Sequence, residues 1–215
     1  EMIENGKRYA EAYRNKGKFI LKEQVTIKCE QCEKYKKSFD NIKVALASDI
    51  HSGLYVSTSH IKKMSYMIMA NKPDIILFVG DYIYSAPRWF RYYNKKNIIK
   101  LNEGIKDLNA PLGKYAVMGN HDNYESKIDI SNTFCSNNFK MLDNNIIFIT
   151  NENKEYISIG GIGDFLTDEV KFDLAIKNVK TNDFNILLSH EPMFPLKIAQ
   201  KENIKLAYLT GIGAA

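Results

Sequence analysis

Ile75-Ile76-Leu77-Phe78-Val79-Gly80-Asp81 is the pattern on which the architecture of this chain rests. Its five consecutive apolar residues predict a short buried strand, and a carboxylate follows directly after the strand ends. The same arrangement occurs three more times. The runs 44–47, 115–118 and 185–188 precede Asp49-Ile50-His51, Gly119-Asn120-His121-Asp122 and Ser189-His190-Glu191-Pro192. Ligands of open α/β sheets bind beyond the carboxyl ends of the strands, so we expect these polar groups to share one crevice.

Alternating strands and helices surround this pattern. We predict a strand at 42–48, a helix at about 58–71, a strand at 75–79, a helix at about 97–109 and a strand at 114–118. After residue 138 the pattern changes to a hairpin, 146–150 and 156–159, then a helix near 168–179 and a strand leading to His190. An edge strand near 19–27 and a last strand at 206–209 complete the prediction. The fold class is therefore α/β, with two packed sheets and helices outside.

Composition is compatible with one domain of 215 residues. The net charge of +5 permits an anionic substrate, and without a long block of like charges nucleic acid is an unlikely partner. The longest apolar run, five residues, is too short to span a membrane. Three cysteines, including Cys29 and Cys32, indicate surface thiols and not a disulfide framework. Because the chain opens at Glu1, we expect upstream sequence, and residues 1–17 are interpreted as a polar leader.

Carboxylates and imidazoles in this arrangement are typical of a metal centre. If the strand persists, Asp49 and His51 point to the same face and bind one ion. Asp81 follows Asp49 by 32 residues (81 − 49), about one βαβ unit, which places it on the adjacent strand where it could bridge two cations. Gly80 leaves space for close approach.

The later strings extend this site. Asn120 offers a neutral oxygen, His190 brings an imidazole to a second metal, and His121 faces the substrate, with Asp122 fixing its tautomer and favouring its protonated form. Two divalent cations about 3.5–4 Å apart activate a shared, bridging hydroxide for in-line displacement. The mixed oxygen and nitrogen donors suit Mn, Fe or Zn better than Ca or Mg.

The motifs resemble those of the calcineurin-like metallophosphoesterase superfamily, in particular its bacterial membrane-associated type. The resemblance covers about residues 18–211 and is carried by four matching strings: Ser48 to His51, Gly80 to Tyr82, Ala110 to Asp122 and Leu188 to Pro192. It implies a four-layer α/β/β/α sandwich with two mixed sheets over 18–215. It also implies Asp49 and His51 on the first metal, Asp81 on both, and Asn120 and His190 on the second. His121 would protonate the leaving group or stabilise the phosphoryl oxygens.

One departure from the family pattern concerns the last motif, which carries two histidines. Thr210-Gly211 begins it, but Ile212-Gly213-Ala214-Ala215 follows. We therefore expect an incomplete C-terminal motif, missing last strands and weak metal binding in this chain. The two functional hypotheses are a dinuclear hydrolase of phosphomonoesters or phosphodiesters and, as the alternative, a catalytically impaired fragment that folds without hydrolysing.

Two weaker features bear on partners. Arg88-Trp89-Phe90-Arg91-Tyr92-Tyr93, followed by Lys95 and Lys96, is either a loop packed on the body or a patch that contacts lipid headgroups. Asp164 is a turn residue or a site residue. The expected substrate is a small-molecule phosphoester or a phospholipid-type molecule, and the expected location is cytoplasmic or membrane-associated. The sequence predicts no particular oligomeric state.

Overall fold

The first sheet carries the strand-ending motifs in neighbouring strands. The computed structural model describes residues 25–26, 39, 42–84, 91–180, 184–191 and 206–210. The sheet's strands, in spatial order, are β1 (Val25–Thr26), β2 (Lys43–Ala47), β3 (Ile75–Val79), β4 (Lys114–Val117) and β5 (Phe139–Met141). β1 pairs antiparallel with β2, and the other pairs are parallel. The carboxyl ends of β2, β3 and β4 therefore meet at one edge.

Helices connect the parallel strands and cover one face of this sheet. They are α1 (Thr58–Ala70), α2 (Arg91–Ile105) and α3 (Asn120–Ser136). Their apolar side chains, among them Ile61, Leu101 and Phe134, pack against Ile76 and Phe78 of β3. A capping box starts α1, in which His60 Nδ1 accepts the backbone N–H of Ser57.

The second sheet packs on the opposite face of the first. Its strands, in order, are β6 (Asn145–Thr150), β7 (Tyr156–Gly161), β8 (Asn185–Ser189) and β9 (Leu206–Thr210), with only the β6–β7 pair antiparallel. The alternate residues of β3, Ile75, Leu77 and Val79, join Ile159 and Leu188 in a core between the sheets. The short helix α4 (Phe172–Ala175) covers the far face. These layers confirm the predicted α/β/β/α class.

Several predicted boundaries were wrong. α2 begins six residues before the predicted 97 and ends at Ile105, and α4 is one turn where a helix over 168–179 was expected. α3 was not predicted, since its first turns are polar and it is kinked at Ser126. The leader 1–17, Cys29, Cys32 and residues 85–90 lie outside the described residues, so predictions about them, and about missing last strands, remain predictions.

Candidate metal centre

The turns after β2 and β3 run side by side and hold three of the predicted ligands together. The backbone N–H of Asp49 donates to Gly80 O, and that of His51 donates to Asp81 O, both at 3.0 Å. These bonds extend the parallel pairing past the ends of the strands. Asp49, His51 and Asp81 consequently face one another at the edge of the sheet.

All three of these residues have left-handed backbone conformations. The φ angle is 54° at Asp49, 47° at His51 and 57° at Asp81. Non-glycine residues rarely adopt such angles, which cost about 1–3 kcal/mol each and cluster at functional sites. The expectation that strand alternation places Asp49 and His51 on one face is therefore wrong, because β2 ends at Ala47 and a strained turn brings the side chains together.

Two glycines are required by close approach within the site. A Cβ atom on Gly119 would lie 2.3 Å from Asp81 Oδ1, and one on Gly80 would lie 2.6 Å from His190 Nδ1. Gly80 also has a φ of +81°, which L side chains rarely adopt. The glycines that precede Asp81 and Asn120 thus make room for the ligand side chains themselves.

Asp81 is the centre of the cluster. Its Oδ2 atom lies 3.6 Å from His51 Nε2, 3.9 Å from His121 Nε2 and 3.4 Å from His190 Nε2. Asp49 Oδ1 lies 3.9 Å from His51 Nε2. One buried carboxylate oxygen is therefore surrounded by imidazole nitrogens that come from the turn after β2, the first turn of α3 and the end of β8.

The donor atoms form two groups that share Asp81. His51, Asp81 and His121 form one group, and Asp49, Asp81 and His190 form the other, with the ligand atoms of each group within 4.8 Å of one another. Asp49 Oδ1 also lies 3.9 Å from His51 Nε2, so the arrangement is compatible with the ion that the family pattern implied for Asp49 and His51. His121, expected to act on substrate alone, also lies among the donors.

Unsatisfied polar atoms in the cluster fit a cation. His51 Nδ1, His121 Nδ1 and His190 Nε2 are buried and have no hydrogen-bond partner. Buried polar atoms are normally paired, and His190 Nε2, together with the Nε2 atoms of His51 and His121, faces Asp81 Oδ2, a set of nitrogen and oxygen donors that divalent transition metals prefer. The residues present therefore fit the metal ions that the fold family implies.

One hydrogen bond orients the buried imidazole of His190. Its Nδ1 atom lies 2.9 Å from the Val79 carbonyl, which fixes the ring from the neighbouring sheet. Burial opposes protonation, but the carboxylate of Asp81, 3.4 Å from Nε2, outweighs it and raises the pKa of His190 to about 9. For His51, burial lowers the pKa, although the charge of Asp81 opposes the shift. Burial alone would raise the pKa of Asp81, but His190 and the backbone N–H of His121 hold it below its ordinary value.

Asp122 does not act on His121 as predicted. One carboxylate oxygen, Oδ2, accepts the backbone N–H groups of Asp81 and Gly119, and Oδ1 accepts that of Tyr82. Burial raises the pKa of Asp122 to about 7, against the opposing effect of these N–H donors. His121 Nδ1 has no partner, so the expected tautomer-fixing bond is absent. The correction is physical: a fully buried carboxylate at the third position of a helix satisfies the orphan N–H groups around it.

The start of α3 positions the remaining residues of the motif. Gly119 is the N-cap and Asn120 the first helical residue, so the N-terminus of α3 points into the cluster. The backbone N–H of His121 donates to Asp81 Oδ1 at 3.1 Å. Asn120 is thus fixed between two residues whose backbones contact Asp81 or Asp122. The sequence placed Asn120 and His121 at this edge but gave no signal that a helix begins there.

A second carboxylate pair lies beside the cluster. Asp164 is fully buried, and its Oδ1 accepts the backbone N–H groups of Leu166 and Thr167, which agrees with the turn interpretation of this residue. Its other oxygen, Oδ2, is buried without a hydrogen-bond partner and lies beside the carboxyl group of Glu191, the residue after His190. Burial, followed by this contact, raises the pKa of Glu191 to about 7. Sequence reasoning missed Glu191, since nothing near it in sequence indicates its partner.

Comparisons with known proteins agree with this geometry. The family model for the calcineurin-like phosphoesterases matches residues 42–211. An uncharacterized metallophosphoesterase of Aquifex aeolicus is 30% identical over 183 residues, which cover 81% of this chain and 63% of that protein. The chain belongs to the calcineurin-like phosphoesterase family.

Two further relatives have more specific names. A transmembrane protein with metallophosphoesterase domain from Bos taurus is 28% identical over 73% of this chain and 36% of its own length. The UDP-2,3-diacylglucosamine pyrophosphatase LpxG of Chlamydia muridarum is 32% identical over 38% of this chain and 22% of its own length. The chain spans less than two thirds of each of these relatives. Among the described residues, no helix is both long and apolar enough to cross a bilayer.

Proposed function

We propose that this chain carries the active site of a metal-dependent hydrolase of phosphomonoesters or phosphodiesters. The observation that carries the proposal is the position of Asp81 Oδ2, which lies within 3.9 Å of the Nε2 atoms of His51, His121 and His190. A buried carboxylate needs hydrogen-bond donors or cations around it to offset the loss of hydration. The membership of the chain in a phosphoesterase family favours cations and phosphoester chemistry.

We propose that two divalent ions share Asp81. In this proposal Asp49 and His51, 3.9 Å apart, hold one ion, and His190 belongs to the other. Asn120, at the start of α3, supplies a further oxygen in the proposal. Mn, Fe and Zn accept such mixed donors. When bound, the ions would supply Lewis-acid stabilisation of the phosphoryl oxygens and a nucleophilic oxygen at neutral pH.

His121 is the proposed proton donor to the leaving oxygen. Its side chain is one third exposed, compared with one quarter for His51 and 1% for His190, so it is the imidazole most accessible to a substrate. The N-terminus of α3 beside it favours negative charge, as a phosphoryl group would bring. Its backbone bond to Asp81 holds its position relative to the ligands.

Asp122 is proposed as a positioning residue. Because its oxygens hold the N–H groups of Gly119, Asp81 and Tyr82, it locks the turn after β3 to the start of α3. The relative placement of Asp81 and His121 therefore depends on Asp122, although Asp122 is not in contact with the substrate in this scheme.

The substrate class is proposed at the level of the phosphoester bond. A diacylated sugar nucleotide is the substrate named for the Chlamydia relative, which supports phospholipid-type molecules as candidates beside small phosphoesters. The net charge of +5 suits any of these anions.

The test combines metal analysis with hydrolysis of a nitrophenyl phosphodiester and monoester. His121→Ala should lower kcat by about 10²–10⁴-fold with metal content retained, since proton transfer contributes that much. His60→Ala is the matched control, because His60 caps α1 outside the cluster. Loss of metal from His121→Ala would make that residue a ligand. A wild-type chain that binds no divalent metal and hydrolyses neither compound would overturn the proposal and favour the impaired-fragment alternative.

A further inference from the structure

The exposed apolar side chains of this protein are concentrated around the candidate metal centre. Among the described residues, eleven large apolar side chains are exposed. Seven of them lie within seven residues after a metal-ligand candidate or in the loop after β7 that contacts Glu191, and we call this set the apolar rim: Leu54, Tyr55, Tyr84, Tyr124, Ile128, Phe165 and Leu166. The other four, Tyr66, Ile99, Phe148 and Leu174, are distributed over helices and a strand. Clustering of this kind marks an interaction surface, whereas scattered exposed residues need no explanation.

One half of the apolar rim belongs to the turns after β2 and β3. Leu54 and Tyr55 follow His51 by three and four residues and are 77% and 82% exposed. Tyr84 follows Asp81 by three residues, and its backbone N–H donates to Ser52 O at 3.0 Å. This bond ties the Tyr84 backbone to the loop that carries Leu54, so the three side chains border the same side of the site.

The other half borders the opposite side. Tyr124 follows His121 by three residues on α3. The loop that carries Phe165 and Leu166 reaches the site through the backbone N–H of Phe165, which donates to Glu191 at 3.2 Å beside His190. Asn123 joins this loop to α3 by donating to Thr167 Oγ1 at 2.9 Å. The apolar rim therefore flanks the cluster on both sides.

Positive charge accompanies the first half. Residues 51–102 contain eight lysines and arginines but only two acidic residues, Asp74 and Asp81. Asp81 is buried in the cluster, and Asp74 bonds to the backbone N–H of Lys43 at the opposite end of the sheet. Lys100 Nζ donates to Gly53 O at 3.0 Å, which places α2 against the Leu54 loop. Lys95 and Lys96, less than two turns earlier on α2, are exposed.

We infer that the apolar rim and these α2 lysines dock the protein on an anionic lipid bilayer, with the candidate metal centre facing the headgroups. Tyrosine and leucine side chains partition into the interfacial layer of a membrane, and basic residues beside them add attraction to anionic lipids. The charge of this edge is complementary to such a surface. Such docking would allow the site to take its substrate from the bilayer. That step rests on the proposed function, whereas the docking itself does not.

The experiment is flotation of the 215-residue chain with vesicles of pure phosphatidylcholine or of a phosphatidylcholine–phosphatidylglycerol mixture. We expect binding to the anionic vesicles and much weaker binding to the neutral ones. Leu54→Ser combined with Tyr55→Ser should lower the bound fraction at least severalfold. The matched control Tyr66→Ser changes a tyrosine of similar exposure, 74%, on the outer part of α1 and should bind like wild type.

A second pair of variants tests the charges. Lys95→Gln with Lys96→Gln should abolish the preference for anionic vesicles, while Lys43→Gln with Lys72→Gln removes the same charge at the other end of the sheet and should not. Equal binding by all variants, or no binding by wild type, would overturn the docking surface. Sedimentation that shows self-association lost in Leu54→Ser/Tyr55→Ser, without vesicle binding, would assign the rim to a second copy of the chain instead. Hydrolysis of the soluble nitrophenyl phosphodiester, measured in parallel, keeps failure of docking distinct from failure of the proposed function.

Discussion

The dipeptide Gly-Asp occurs near the end of a buried strand in each sheet, and the carboxylates of its two copies contact different partners. Asp81, after β3, is nearly buried and turns Oδ2 toward three imidazoles. Asp164, after β7, is fully buried and uses Oδ1 on the backbone N–H groups of Leu166 and Thr167. Burial and sequence are the same in both copies, but the partners of the oxygens differ. Each carboxylate keeps one oxygen free of N–H donors, but that of Asp81 faces imidazoles, whereas that of Asp164 lies beside Glu191.

The two regions also differ in electrostatics. Asp81 faces histidines, so its pKa lies below the ordinary value in spite of burial. Asp164 faces Glu191, and burial together with that contact raises the pKa of Glu191 to about 7. Asp81 thus lies ionised among candidate metal ligands, whereas Glu191, beside Asp164, keeps its proton to a higher pH than an ordinary glutamate. The following predictions exploit this contrast, starting with the largest effect.

Replacing Asp81 should abolish metal binding, whereas replacing Asp164 should not. Asp81→Asn removes a charged donor from both groups, and since loss of a supporting residue near a metal already costs about 10–100-fold, we expect at least this loss in affinity. Asp164→Asn retains the oxygen that accepts the turn N–H groups and should bind metal like wild type. Competition with a chelating dye measures both. Equal losses in the two variants would remove the distinction between the copies.

Replacing Asp122 should destabilise the fold. Asp122→Ala leaves the N–H groups of Gly119, Asp81 and Tyr82 without their acceptor, and at about 1–3 kcal/mol for each unsatisfied buried group the free energy of unfolding should fall by about 3 kcal/mol or more. Urea denaturation in EDTA provides the measurement, with the exposed Asp107→Ala as control. A wild-type midpoint in Asp122→Ala would show that the carboxylate does not hold these turns.

The pH dependence of stability should reveal the Asp164–Glu191 pair. A pKa raised in the folded state from 4.5 to about 7 means that the folded protein binds more protons, so this contribution is complete below pH 4.5 and declines until pH 7. Asp164→Asn places a carboxamide donor beside Glu191 and should flatten the decline. Asp122 and Asp143 contribute declines of the same sign, which makes the difference between variant and wild type, in EDTA, the informative quantity. Parallel curves would contradict the pair.

The smallest expected effect is on the free energy of unfolding, through the left-handed backbone of the turn that carries Asp49. Asp49→Ala and Asp49→Gly remove the same carboxylate, but only glycine adopts a φ of 54° without strain. Without metal, the glycine variant should be the more stable one by about 1 kcal/mol, which reverses the usual order of alanine over glycine. Thermal and urea unfolding of the two proteins would detect this. Greater stability of the alanine variant would show that the turn carries no strain.

The parts of the fold that depend on local pattern were predictable. The run at 75–79 and the hairpin at 146–159 coincide with β3 and the β6–β7 pair, because uninterrupted or alternating apolar residues specify buried strands. α3 was not predicted, because its polar first turns lack the apolar stripe of an amphipathic helix. Its first residues, Asn120, His121 and Asp122, were interpreted as site residues instead.

The sequence predicted which residues form the candidate site but not their backbone conformations or hydrogen-bond partners. Asp49, Asp81 and His190 converge as expected, since strand ends meet at one edge of a sheet. The left-handed turns and the Asp122 contacts were not predictable. The side chain of Asp122 accepts backbone N–H groups of residues some 40 positions away, such as Asp81 and Tyr82, and no local sequence pattern indicates such contacts.

The bond between His190 and the Val79 carbonyl has a consequence for how the protein folds. The two residues are 111 positions apart and belong to different sheets. Contacts between distant parts of a chain require that a large loop has closed, so they form late on the folding path. The crossover connections of the first sheet bring Asp49, His51 and Asp81 together. His190 joins them only when the second sheet has packed on the first. The complete candidate metal centre is therefore a property of the finished fold, and a nascent chain would acquire it last.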